Sequence, residues 1–166
     1  MKRGSQFVSL VLGLLLLLSA GQAFAQGGGG KDKDKDKGKD KKEQKKLDKE
    51  AKKLEKQAEK GAAKIGHDKI LCVLAAHTTE EFGDATALKQ KLEESGAPFG
   101  LFVAAVYFAF QGDLDLDETL MALKEGKSLA QIAKEKDLDM GDLRQGFGQF
   151  RSEIARAMTN PPENCP

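Results

Sequence analysis

The sequence is poor in the side chains that build most catalytic sites. It has two His, two Cys, one Tyr and no Trp among 166 residues. The common motifs of serine hydrolases, zinc proteases and phosphate-binding loops are absent. No acidic residue stands in an apolar setting of the kind that raises a carboxyl pKa for acid catalysis. We therefore expect a non-enzymatic protein with no catalytic residue and no cofactor. A carboxylate-based enzyme such as a glycosidase is the alternative left open, with no pair of acids to name.

The few potential metal ligands do not form a convergent set. His67, Cys72 and His77 are each five residues apart, and steps of five on a helix rotate by about 140°, so the side chains diverge. We expect no metal site there.

A second potential metal site is a run of alternating acids. Asp113, Asp115 and Asp117 alternate like the start of a calcium-binding loop, but Glu118 replaces the turn glycine and Lys124 the bidentate glutamate. Helix capping explains the run better, and we expect no metal here either.

The first 25 residues have the three parts of a secretory signal. Lys2 and Arg3 precede the apolar run 8–18, and Ala23 and Ala25 supply the small residues before a cleavage site. The run is shorter than the ~20 residues that span a bilayer. We expect a periplasmic or secreted protein with no transmembrane span in the mature chain.

Export places the two cysteines in an oxidising compartment. A single disulfide between Cys72 and Cys165 is then the expected state, and it would tie the tail 161–166 to the body. The alternative is a buried free Cys72, with Cys165 pairing between chains.

The charges are divided between two parts of the chain. Residues 31–60 hold 14 Lys against 9 acids, whereas residues 61–166 hold 11 Lys and Arg against 17 acids. The glycines and the Lys/Asp run of residues 26–40 offer nothing to bury, which predicts a disordered linker.

Residues 41–60 predict a Lys-rich helical arm. Leu47, Ala51, Leu54 and Ala58 recur at spacings of four, three and four, which is a thin apolar stripe. We interpret it as a solvated, partly frayed helix; a coiled coil and a membrane-surface helix are the alternatives. The candidate contacts with anionic surfaces are Lys45, Lys49, Lys53, Lys56 and Lys60.

Residues 61–160 predict an all-α domain, a compact bundle of about six short helices that follows the linker and the arm. The segment 99–110 is apolar except at Gly100, so it should be the central core helix, with a buried strand as the alternative. Helix caps are expected at Asp84, Asp115 or Asp117, Ser128 and Asp139.

The segment 128–145 has the apolar spacing of a helix-turn-helix. Its second helix would present Asp139 and Asp142 to the phosphates beside the single cation Arg144, in an exported, acidic body. Two helices packed at a corner is the better interpretation, and no nucleic-acid partner is expected.

Residues 82–140 also carry a resemblance. With Phe82-Gly83-Asp84, the glycine stops and the sequence 126–134, the segment resembles small exported helical domains of bacteria to which no function is assigned. The resemblance implies a helical fold, and no activity carries over from it.

The leading functional hypothesis is a structural or interaction module of the cell envelope. Its basic arm would hold it near anionic envelope polymers or lipid headgroups, with a protein partner unknown. The alternative is a carrier for a small apolar ligand, held by the 99–110 helix with Leu71, Leu74 and Ile154.

Overall fold

The computed structural model describes residues 33–163, with side chains from residue 38 onward. Within that range the chain forms seven α-helices and no strand. The predicted signal peptide and residues 26–32 lie outside the described residues. The helices are α1 (Lys33–Ile65), α2 (His67–Phe82), α3 (Ala85–Ser95), α4 (Phe99–Gly112), α5 (Leu116–Lys124), α6 (Leu129–Glu135) and α7 (Met140–Ala157).

The short helices begin where the sequence supplies a side-chain acceptor for free backbone N–H groups. Asp84, Asp115, Ser128 and Asp139 each accept such a bond at the start of α3, α5, α6 and α7. Such a cap typically stabilises a helix by ~1 kcal/mol. The predicted all-α class and the caps are therefore confirmed, with Asp115 rather than Asp117 capping α5.

Helix α4 is the centre of the bundle. Residues 102–109 are all buried, and α1, α2, α5, α6 and α7 pack around them. The prediction of a central core helix over 99–110 is confirmed, and the strand alternative is wrong. A helix that is apolar on every side is stable in water only when other helices cover all its faces.

Helix α1 corrects the predicted division of the chain. Leu47, Ala51, Leu54 and Ala58 are at most 4% exposed and belong to the same core as α4. The solvated arm over 41–60 and the domain boundary at 61 are therefore wrong. The helix also begins at Lys33, inside the segment 26–40 that was expected to be disordered.

The apolar stripe on α1 is thin because the large apolar side chains of this contact come from α7. Helix α7 makes the largest contact with α1 and buries Phe147, Phe150 and Ile154. Small Ala side chains on one helix accommodate large ones on the other, which keeps the packing dense. Most helical stability in proteins comes from such an apolar face rather than from propensity.

Helices α1 and α7 run parallel. Three polar contacts join them. Successive contacts are seven residues apart on α1 and also seven residues apart on the partner segment. The contacts are Glu43–Arg144 at 3.0 Å, Glu50–Arg151 at 2.9 Å and Gln57–Met158 at 3.3 Å. The pair thus has the heptad spacing of a two-stranded coiled coil within one chain. We call this set of contacts the α1–α7 seam.

Helix α4 crosses α1 at very close range at Gly100. A Cβ atom there would lie 2.5 Å from the backbone oxygen of Glu55. The Gly100 amide donates a 2.7 Å bond to the Glu59 carboxylate, which supplies an acceptor at the α4 N-terminus from another helix. Gly100 is therefore required by the approach of the two backbones.

Over residues 33–163, no single helix has both the length and the apolar character to cross a membrane. Helices α3 and α4 meet that test only as a pair, and they are bent by 119° relative to each other.

Candidate functional site: the lysine face of the first helix

The outer side of α1 carries a row of exposed lysines. The row continues at spacings of three or four residues, so its members share one side of the helix, opposite the buried stripe. We call it the lysine face; its members are Lys42, Lys45, Lys49, Lys52, Lys56 and Lys60. At 1.5 Å per residue it extends for about 27 Å.

The lysines of this face differ from the neighbouring lysines of α1 in whether they form ion pairs. None of its six ammonium groups forms an ion pair with another residue between 38 and 163. By contrast, the adjacent Lys46 pairs with Glu43 at 2.7 Å and Lys53 with Glu50 at 2.6 Å. Both glutamates also belong to the α1–α7 seam, so each of them binds a lysine of α1 and an arginine of α7.

Several described acids of α1 contact other helices. The Asp48 carboxylate accepts a 3.3 Å bond from the Ala130 amide at the start of α6, and Glu59 does the same for α4. Asp40 pairs with Lys134 of α6 at 3.5 Å. These carboxylates are held against other helices, which leaves the lysine face with little compensating charge.

The pKa values of two acids on α1 report their surroundings. The hydrogen bond from Lys53, with the charges of Lys53 and Arg151, lowers the pKa of Glu50 against the opposing effect of burial. Burial raises the pKa of Glu55, and the charge of Lys52 only partly offsets it. The Lys52 ammonium is thus close enough to the Glu55 carboxyl to influence its pKa.

A shallow depression of about 410 Å³ follows the face, lined by Lys45, Asp48, Lys49, Lys52, Lys53 and Lys56. The ammonium groups and the aliphatic parts of the lysines form its walls. An anionic group seated there would meet several cations and one carboxylate, already engaged with α6. The arrangement can bind negative charge and contains no group placed for bond-breaking chemistry.

The predicted contact residues coincide with this face in part. Lys45, Lys49, Lys56 and Lys60 belong to it, whereas Lys53 lies beside it and pairs with Glu50. Sequence reasoning missed Lys42 and Lys52. Counting positions from the stripe through Leu47 and Leu54 would have found both, because they fall on the opposite side of the helix.

A second polar cluster joins α2, α4 and α7. The His77 ring nitrogen lies 2.5 Å from Glu153, and the ring packs edge-on against Phe150. Tyr107 stacks on Phe150 with centroids 4.3 Å apart. Burial, and secondarily the charge of Glu153, raises the pKa of Tyr107. The cluster fastens three helices at one edge of the core.

The three acids that alternate like the start of a calcium-binding loop have three separate structural roles. Asp113 ends α4 with a left-handed φ of 50°, Asp115 caps α5, and Asp117 pairs with Lys91 at 3.3 Å. Over the described range, no group of three or more His, Cys, Asp or Glu residues is placed to hold a metal ion.

The other predicted site residues are spread through the bundle. His67 packs edge-on against Phe99, far along α2 from His77. Cys72 is half-buried on α2 against the core. Cys165 lies outside the described residues, so the disulfide stays a prediction.

The residues proposed to hold an apolar ligand are packed together in the core. Leu71, Leu74 and Ile154 are at most 1% exposed. Arg144, the single cation of the 128–145 segment's possible DNA-reading part, lies at the start of α7 and is engaged with Glu43 in the seam.

No protein-family model matches the chain, and neither a curated protein nor a solved structure matches it.

Proposed function

We propose that this chain is an exported, non-enzymatic helical protein of the cell envelope, and that the lysine face binds anionic surfaces there. The observation that carries the proposal is the division of charge on α1. Five described acids of α1 are engaged with α4, α6 or α7, namely Asp40, Glu43, Asp48, Glu50 and Glu59. By contrast, six exposed lysines lie on the outer side without an ionic partner among the described residues.

The energetics support this role. Like charges at spacings of three and four along a helix destabilise it by ~0.2–0.5 kcal/mol per pair. A bound anionic surface converts that repulsion into attraction, at roughly 1 kcal/mol for each lysine near it. Because α1 is fixed by the core, binding requires no folding of the helix.

The experiment is co-sedimentation of residues 26–166 with isolated cell envelopes at low and high salt. Deleting residues 31–60 is unsuitable, because the deletion would remove Leu47 and Leu54 from the core. We instead replace Lys49, Lys52 and Lys56 by Gln. Salt-sensitive binding that this variant loses supports the proposal; unchanged binding by the variant contradicts it.

A matched control variant removes three positive charges from helices other than α1. Lys69, Lys124 and Arg156 lie on α2, α5 and α7, and none forms an ion pair with another described residue. Their joint replacement by Gln should leave envelope binding near the wild-type level. An equal loss in both variants would show that net charge, rather than the lysine face, causes binding.

The apolar-ligand carrier has no specific observation in its favour. The depression of about 350 Å³ bounded by Gln111, Asp142 and Gln149 is open at the surface and is lined mainly by amide and carboxylate side chains.

A further inference from the structure

The shape of the lysine face indicates which anionic surface it fits. Resting on the function proposed above, we propose that the ligand is a linear polymer carrying phosphate groups at regular intervals, which lies along α1, rather than the plane of a lipid bilayer.

The face is long and only about one side chain wide. Neighbouring members are three or four residues apart, which places their Cβ atoms ~5–6 Å from one another. Asp48, Glu55 and Glu59 follow one border, and the paired Lys46 and Lys53 follow the other. A strand of phosphates along the row would meet mainly lysines, with Asp48 as the one carboxylate in the depression, whereas a flat anionic surface would also approach Glu55 and Glu59 on the acidic border.

Along the lysine face, between residues 42 and 60, helix α1 has no exposed apolar side chain to offer a bilayer. Every apolar residue between 42 and 60 is buried, namely Leu47, Ala51, Leu54 and Ala58. A helix that lies in a membrane interface inserts an apolar face below the headgroups. On α1 that face is occupied by α7, so insertion would require separation of the bundle.

The residue type also fits a phosphate chain. A lysine ammonium is a compact charge with three donors that accepts phosphate from many directions, whereas an arginine fork favours planar, bidentate partners. The face contains only lysines, and the two arginines nearest α1 are held in the seam. This composition suits recognition of repeated charge rather than of one fixed group.

The test presents one chemical group in three forms to residues 26–166. Poly(glycerol phosphate) supplies the linear polymer, vesicles of phosphatidylglycerol in phosphatidylcholine supply the same headgroup in a plane, and free glycerol phosphate supplies the monomer. At equal phosphate concentration we expect the polymer to bind at least tenfold more tightly than vesicles and the monomer to bind negligibly. Equal or tighter binding to vesicles would overturn the inference.

The salt dependence of the affinity for the polymer measures how many lysines take part in binding. A linear polyanion loses affinity with a slope of about −0.7 per neutralised phosphate, so six lysines predict a loss of roughly 300-fold between 50 and 200 mM salt. With Lys49, Lys52 and Lys56 replaced by Gln, the loss should fall to about 20-fold. The variant at Lys69, Lys124 and Arg156 should keep the wild-type slope; a change equal to that of the first variant would also overturn the inference.

Envelope co-sedimentation separates the two possible failures. If the lysine face retains the protein on envelopes but the polymer does not bind, the linear-polymer inference is wrong and the proposed function stands. If neither envelopes nor polymer bind, both are wrong.

Discussion

The two sides of α1 differ in residue type and in their contacts with the rest of the protein. On the inner side Leu and Ala are buried, and Glu43 and Glu50 contact arginines of α7. On the outer side the lysines are exposed, with no ionic partner among residues 38–163. The comparison shows that composition alone did not reveal the role of this helix, whereas the side on which each residue falls does.

The inner side should dominate stability, and Leu54 is the sharpest place to test this. Leu54→Ala removes a fully buried side chain and should lower the free energy of unfolding by about 3 kcal/mol. Lys56→Ala, two positions further on the outer side, should change it by no more than ~0.5 kcal/mol. Urea denaturation measures both. If both substitutions changed the free energy of unfolding by similar, small amounts, residues 41–60 would be a solvated arm as first predicted.

The short helices were predictable because their signals are local. A cap such as Ser128, with Gln131 three residues later, determines where α6 begins without reference to the rest of the chain. The same holds for the unbroken apolar run of α4. Such features predicted the class and most helix starts.

The place of α1 was not predictable from its own segment. Its stripe is half alanine, and its burial depends on packing against α7, about a hundred residues away. The pairing of the lysines on α1 depends on α7 in the same way. Which lysines are unpaired follows from where Arg144 and Arg151 hold Glu43 and Glu50, and that is a tertiary contact.

The crossing of α1 and α4 allows a second test of the inner side. Gly100→Ala would place a Cβ atom against the backbone of Glu55, which has little freedom to move, and should cost about 2 kcal/mol. Gly148→Ala is the control, since a Cβ there meets nothing within 4 Å and should stabilise helix α7 by ~0.5–1 kcal/mol. Thermal unfolding should thus shift in opposite directions; a shared direction would contradict the close crossing.

The α1–α7 seam should add a smaller, pH-dependent contribution. Glu50→Gln should cost ~0.5–1 kcal/mol at pH 7, because Lys53 and Arg151 lose a charged partner. The folded pKa of Glu50 is lowered, so its stabilisation is present above its ordinary value of 4.5 and is lost as pH falls through the folded value.

Urea denaturation across pH 7 to 3 measures this prediction. The difference between wild type and Glu50→Gln should be largest at neutral pH and shrink below about 4.5. The control is Glu80→Gln on α2, an exposed residue whose carboxylate forms no ion pair with a described residue. A Glu50 difference that grows in acid would show that the seam does not hold the glutamate in its charged form.

The outer side should show the smallest effect, and its sign is the informative part. Replacing Lys49, Lys52 and Lys56 by Gln removes like-charge contacts along one helix side while keeping a similar helix propensity, so stability should rise by about 0.5 kcal/mol at low salt. The gain should shrink at high salt, where the repulsion is already screened. Urea denaturation at both salt concentrations measures it. A gain in stability together with a loss of binding would mean that the row of lysines is kept for its ligand at some cost to the fold. A loss of stability would mean instead that these lysines support the bundle, and the difference between the two sides of α1 would then disappear.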